Sequence, residues 1–234
     1  LVRETWQKLG SIYWYIHAGS KTFPVQIAAR FGIPLIIWGA HQGLDQVGMF
    51  SHLDEVKMTR KYRKEHDLMG VDAEDLIDIS FNLSVNEMRR FMYPSDAQIE
   101  KHTIRGIYLG NYLRWDSKTQ HEKMIKLYGY ETGKQTRTFN TYEDVDSFMY
   151  SDVHDYIKFL KFGYGKVSDH VSREIRLKRM TRDEGIELVM KYQDKAPNYL
   201  PMFLRWAKIT ERDFYNAMNK HRDPEIWKKN NAGE

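Results

Sequence analysis

Two helical patterns flank a glycine-bracketed turn, Gly163-Tyr164-Gly165, in the run DVHDYIKFLKFGYGKVSDHVSREIRLKRMTRDE between Asp152 and Glu184. A third helix start comes directly after them. On the first helix His154, Lys158 and Lys161 fall at i, i+4 and i+7, so they share a face; on the second, Asp169, Arg173 and Arg176 do the same, with His170 one step round. From Lys158 through Arg182 there are eight Lys/Arg against two Asp/Glu, a net of +6 in a chain whose total is only +4. The remainder is therefore slightly acidic. Positive charge has been gathered at this turn, and an anion is the reason expected. Glycine lets the backbone approach a ligand closely, and Ser168 at the second helix start is expected to offer free N–H groups to an anion. A solvated cationic helix face is the ordinary alternative for any single Lys or Arg here.

The chain of 234 residues is long enough for a sizeable core in one large domain or two small ones. A hydrophobic share of 41% and a charged share of 29% exclude a disordered chain. Cysteine is absent, which excludes disulfides and thiolate zinc sites within this sequence and fits a reducing cytoplasm. The longest apolar run, Ile33–Trp38, falls far short of the ~20 residues a membrane span needs. No secretory signal is visible. The first residue is Leu1, inside a helical pattern (LVRETWQKLG), and the expectation is that further sequence precedes it.

Residues 22–31 read as an amphipathic helix closed by Gly32. The continuous apolar run IPLIIW then reads as a strand buried on both faces, as in a parallel sheet. Ligands in open α/β sheets sit at the loop after a strand's carboxyl end, here Gly39 to Gln46. Beyond Gln46 the chain reads mostly as helix: MTRKYRKEH, AEDLID, AQIEKH after a turn at Tyr93–Asp96, and 118–128 ending at Gly129. RGIYLGNYLRW is the second strand candidate, with a further short strand expected at Thr136–Thr141. Thr181 and Glu184 form a capping box that starts a helix to about Tyr192, and Thr210 starts another.

No HExxH, EF-hand loop, Gly-x-Ser-x-Gly elbow or Walker loop occurs, so no metal site is expected and chemistry through a nucleophilic side chain is disfavoured. Positioning and charge stabilisation remain, as in nucleotidyl and phosphoryl chemistry. Two rival classes stand beside an enzyme: a non-catalytic binding or regulatory module, and a basic helix-turn-helix nucleic-acid binder built from 168–178 and 182–192. The pI of about 9.0 suits the latter. Against it, Asp169, Glu174, Asp183, Glu184 and Glu187 would face phosphates that repel them, so no nucleic-acid partner is expected.

The run HDYIKFLKFGYGKVSDHVSREIRLKRMTRDEGIELV resembles the C-terminal signature of the N-acetyl sugar amidotransferases of bacterial surface-glycan biosynthesis. FPVQIAARFGIPLIIWG, YPSDAQIE, RGIYLGNYLRWD and KLYGYE are similar to that family in the same order. GMFSHLDEVKMTRKYRKEHDLMGVDAEDLI is most similar to the branch linked to acetamidino forms of pseudaminic and related nonulosonic acids. The resemblance implies an α/β fold: the end of a Rossmann-like ATP-pyrophosphatase (PP-loop, HUP-type) parallel-sheet domain over residues 1–50. A mainly helical substrate or oligomerisation region would occupy 51–234. The family's Ser-Gly-Gly-x-Asp-Ser phosphate loop is not in this sequence, so this fragment alone is expected to be inactive.

The implied reaction uses ATP with Mg. The oxygen of a sugar N-acetyl group attacks the α-phosphorus, pyrophosphate leaves, ammonia adds to the activated carbon and AMP departs, leaving an acetamidino group. A glutaminase partner delivers the ammonia in some systems; a cytoplasmic protein and a homo-oligomer are the further expectations. On this reading Trp38, Gly39, His41 and Gln42 line the nucleotide or acceptor pocket. Lys158, Lys161, Arg173 and Arg176 contact phosphates or an acidic sugar's carboxylate, Tyr164 and Gly165 shape the turn against the ligand, and His154, Asp155, Asp169 and His170 orient groups or shuttle protons.

Overall fold

The computed structural model describes residues 1–40, 57–78, 83–114, 116–141 and 147–228. It divides into two compact units, one of Leu1–Val2 with Tyr13–Trp115 and one of Arg3–Ile12 with Asp116–Glu234. Helix α1 (Val2–Leu9) therefore belongs mostly to the second unit.

In the first unit α2 spans Trp14–Phe31, longer than the sequence pattern suggested, and buries Trp14, Ala18, Thr22, Val25 and Ala28 along one stripe. Gly32 ends it at φ 65°, returning its N–H to the Ala28 carbonyl. The N–H of Ile33 reaches the same oxygen at 2.9 Å, and Pro34 then bars further helix. Strand β1 (Leu35–Trp38) comes next, and β2 (Lys57–Met58) leads into a single helical turn, α3 (Arg60–Tyr62), and a π-helical turn, Arg63–Asp67. After α4 (Ala73–Asp78), α5 (Val85–Met88) and α6 (Asp96–Lys101) comes β3 (Arg105–Tyr108).

The sheet order is β1-β3-β2, with β1 parallel to β3 (Leu35 opposite Arg105, Trp38 opposite Tyr108) and β2 antiparallel to it. Gly106 lets β2 lie close, because a Cβ there would come within 2.7 Å of the Met58 Cβ. Val25, Met58, Tyr62, Tyr93 and Tyr108 form the core on the α2 side, with Ile36 and Trp38 packed on it. The expected burial of β1 on both faces is corrected: Leu35 and Ile37 are 47% and 57% exposed. Alternate residues of a strand point to opposite faces, and among the described residues only the α2 face is covered.

The second unit is helical. Its centre is α8 (Phe148–Phe162), which comes after α7 (Ser117–Tyr128) and its left-handed Gly129 cap. Then come α9 (Lys166–Arg176), α10 (Arg182–Tyr192), α11 (Leu200–Ala207) and α12 (Glu211–Asn219). Val153, Tyr156, Ile157 and Leu160 form the i, i+3, i+4, i+7 stripe by which α8 enters the core. Phe214 of α12 is fully buried and stacks on Trp6 of α1 at 6.0 Å and on Tyr156 at 6.5 Å. Each such side chain contributes roughly 1.5–3 kcal/mol by burial. The capping boxes at Thr181 and Thr210 are both formed. No strand forms at Thr136–Thr141; the segment is held instead by side chains from α8 and α9, including the Thr136 N–H on Asp152 Oδ2 at 3.0 Å.

Candidate functional site

Around the turn, the second unit places ten of the predicted site residues on α8, on α9 and between them. Gly163 closes α8 at φ 72°, with its N–H on the Phe159 carbonyl. Gly165 precedes α9 for a different reason. Its φ of −127° suits any residue, but a Cβ there would sit 3.0 Å from both Arg137 Nη2 and Asp155 Oδ2. The glycine admits a buried ion pair.

That pair is the hub of the turn. Arg137 Nε donates to Asp155 Oδ2 at 2.7 Å. Its Nη groups donate to the Gln193 and Lys195 carbonyls, and its guanidinium lies 5.0 Å over the Tyr156 ring. Asp155 Oδ1 accepts the Lys166 N–H at 2.5 Å, so a protein carboxylate already occupies the N-terminus of α9. Anion binding there through free N–H groups is therefore corrected. Ser168 instead donates its hydroxyl to Gln193 Oε1 at 3.3 Å.

The cations fan out from a common turn. Lys158 donates to Asp169 Oδ2 at 2.7 Å and lies 4.4 Å over the ring of half-exposed Tyr164. Lys161 points the other way and is buried, with Nζ 3.3 Å from the Leu9 carbonyl and 3.5 Å from that of Gly10; burial pushes its pKa down. Arg173 stays half-buried, its Nε 3.8 Å from Glu174 Oε1. Arg176 is exposed, and among the described residues no hydrogen bond or ion pair engages it. His170 is buried, its Nδ1 2.7 Å from the Thr138 hydroxyl and its ring edge-on to Phe139. His154, on the same helix as Lys158, is half-buried.

Trp38 and Gly39 lie in the first unit, at the carboxyl end of β1. Trp38 is half-buried, stacks on Tyr108 at 6.5 Å and donates its indole N–H to the Met58 sulfur at 3.0 Å. Among the described residues nothing lies within 4 Å of where a Cβ on Gly39 would sit. His41 and Gln42 lie outside the described residues.

Sequence reasoning missed Arg137 and Lys166, the two buried cations that build the turn. Lys166 Nζ bonds Gln135 Oε1, Ser151 Oγ and Asp152 Oδ1 at 2.7, 3.0 and 3.2 Å. Its place directly after Gly165 is the signal that could have found it; nothing in the neighbourhood of Arg137 marks that residue. Lys21 was missed too: its ammonium lies 4.7 Å over the Trp38 ring and 5.8 Å over Tyr108. Among the described residues no group of three or more His, Asp or Glu side chains is placed to hold a metal ion, and no helix is long and apolar enough to cross a membrane.

Residues 136–234 match a family model described as the C-terminal domain of LPS biosynthesis protein WbpG-like proteins. The match takes in Arg137, the Gly163-Tyr164-Gly165 turn and every helix from α8 to α12. A search of curated proteins found no match to the chain.

Proposed function

We propose that this chain serves lipopolysaccharide or related surface-glycan biosynthesis, in an ATP-dependent N-acetyl sugar amidotransferase. The observation that carries this reading is the match of residues 136–234 to the LPS-biosynthesis domain, over the segment whose turn concentrates the basic charge. The acetamido oxygen would take the adenylyl group with loss of pyrophosphate, and ammonia would then displace AMP to leave the acetamidino product. An amide oxygen is a poor leaving group, so the demand on the protein is to hold anions and position the sugar.

Within that reading the residues of the turn divide by their surroundings. Arg176 is the cation open to a ligand's phosphate or carboxylate, while Lys158 would reach one from its pair with Asp169 and Arg173 from a half-buried position. Asp155, His170 and Lys161 act by position, since each is committed to protein partners. Trp38 and Gly39 would line the nucleotide or acceptor pocket. Magnesium would enter with the ATP phosphates, since among the described residues no group of three or more His, Asp or Glu side chains is placed to hold a metal ion by itself.

The test is ATP–pyrophosphate exchange by the full-length protein with nucleotide-linked and free N-acetyl sugars, with ammonium or a glutaminase as nitrogen source. Sugar-dependent exchange with formation of an acetamidino product is the expected result. Full-length protein that exchanges nothing with any N-acetyl sugar would reject the reading and favour a non-catalytic module.

A further inference from the structure

Arg63 opens the π-helical turn after α3 and is wholly buried, at 0% exposure. Its Nη1 donates to Thr22 Oγ1 at 3.5 Å, and its guanidinium lies 4.7 Å over the Tyr93 ring. Among the described residues Nε and Nη2 have no hydrogen-bond partner. These two groups share one edge of the guanidinium, the edge that takes both oxygens of a carboxylate or phosphate in parallel. The acids that act on Arg63 at a distance, Asp72 and Glu74, are engaged elsewhere: Asp72 lies 3.4 Å from Lys64 and accepts the Asp75 N–H, and Glu74 lies 3.9 Å from Arg60. Burial outweighs them and pulls the Arg63 pKa down. A buried cation left without a counterion is strongly destabilising, and π-helical turns recur at functional sites.

The surroundings supply a second cation. Thr22, which meets Arg63, is the next residue after Lys21 on α2. Lys21 lies over Trp38 and Tyr108, the last residues of β1 and β3 and partners in register. No ion pair engages Lys21 among the described residues. The carboxyl ends of parallel strands are where α/β sheets bind ligands.

We propose that Arg63, with Lys21, forms an oxyanion site at the carboxyl end of the β1–β3 pair, taking a phosphate or carboxylate group of a small-molecule ligand. Arg63 supplies the bidentate contact and Lys21 the second charge. The proposal stands on the geometry of this unit and does not depend on the amide-activation reading.

The test titrates the full-length protein with sodium pyrophosphate, ATP and N-acetylneuraminate against sodium chloride at equal ionic strength, monitoring melting temperature and calorimetric affinity. A saturable rise in melting temperature is expected with at least one of the three. Pyrophosphate and ATP acting together identify a phosphate subsite; N-acetylneuraminate acting alone identifies a carboxylate subsite. Arg63→Lys, which keeps the charge and loses the fork, should weaken that affinity at least about tenfold, the scale of one charge-assisted hydrogen bond lost. Lys21→Met should weaken it as well, and it carries the test should Arg63→Lys fail to fold by circular dichroism. Failure of all three anions to act beyond chloride overturns the site, as does undiminished affinity in a folded Arg63→Lys or, in its place, Lys21→Met. Loss of sugar-dependent exchange with anion binding intact would count against the proposed reaction and leave this site standing.

Discussion

Arg137 Nε and Asp155 Oδ2 lie 2.7 Å apart with side-chain exposures of 0% and 4%, and the same carboxylate holds the first N–H of α9. One interaction thus joins the irregular 135–141 segment, α8 and α9. Removing one partner of such a pair strands a buried charge, which costs on the order of 3–5 kcal/mol. Asp155→Ala should therefore lower the midpoint of urea unfolding sharply. Unchanged unfolding with loss of sugar-dependent turnover would move Asp155 from positioning into the chemistry.

Gly165→Ala tests the same pair from outside. The added methyl meets Arg137 and Asp155 at 3.0 Å, and neither can retreat without breaking its bonds. A cost of about 1–3 kcal/mol is expected, the usual range for overpacking. Gly185→Ala should fall in that range as well, since its Cβ would come within 2.5 Å of Val171 Cγ1 where α10 packs on α9. Thermal unfolding of the two variants checks both.

Arg176→Met separates binding from structure at the turn. The side chain is exposed and makes no hydrogen bond or ion pair among the described residues, so its loss should leave the melting temperature unchanged. If the turn meets an anionic ligand, the Michaelis constant for that ligand should rise several-fold, and less so in high salt. An unaltered constant would return Arg176 to solvated surface.

Lys161 makes stability depend on alkaline pH. Burial lowers its pKa below 10.5, so the unfolded chain binds the proton more tightly than the folded one. Stability therefore rises as pH climbs from the folded pKa towards 10.5 and levels off above that. In Lys161→Met this rise should vanish. Urea melts of the two proteins between about pH 7 and 10.5 give the difference directly, and parallel curves would show that the Lys161 amine is solvated, with an unshifted pKa, in the native state.

Thr181→Ala should cost ~1 kcal/mol of α10 stability by removing its cap. The Thr181 N–H and hydroxyl hold the Glu184 carboxyl below its usual range. The advantage of wild type over Glu184→Gln is then present above the ordinary carboxyl pKa and disappears as pH falls through the lowered one. Helicity measured by circular dichroism across the acid range checks it.

Helix boundaries were legible because their signals are local. The capping boxes at Thr181 and Thr210 and the glycine stops at Gly32, Gly129 and Gly163 depend on residues within one turn of the boundary. Ile36 and Ile37 show where local signals end. Both sit in one apolar run, yet one meets the core and the other is exposed, because the covering layer comes from residues distant in the chain. The Thr136–Thr141 segment departs from its strand pattern for a related reason: its backbone and Arg137 are satisfied by α8 and by the 193–195 carbonyls rather than by a neighbouring strand.

The candidate site divides along the same line. Spacing alone put His154, Lys158 and Lys161 on one helix and Asp169, Arg173 and Arg176 on the next, since helical periodicity is set by backbone geometry. Only tertiary packing decided how each charge is used. Lys158 went to Asp169 and Tyr164, Lys161 to two carbonyls, and Asp155 to Arg137, while Arg63 was left with a fork edge that no described residue fills. The sequence determined where charge accumulates; burial and long-range partners determined which charges are neutralised within the protein, because desolvation depends on every layer packed around a group and not on its neighbours in the chain.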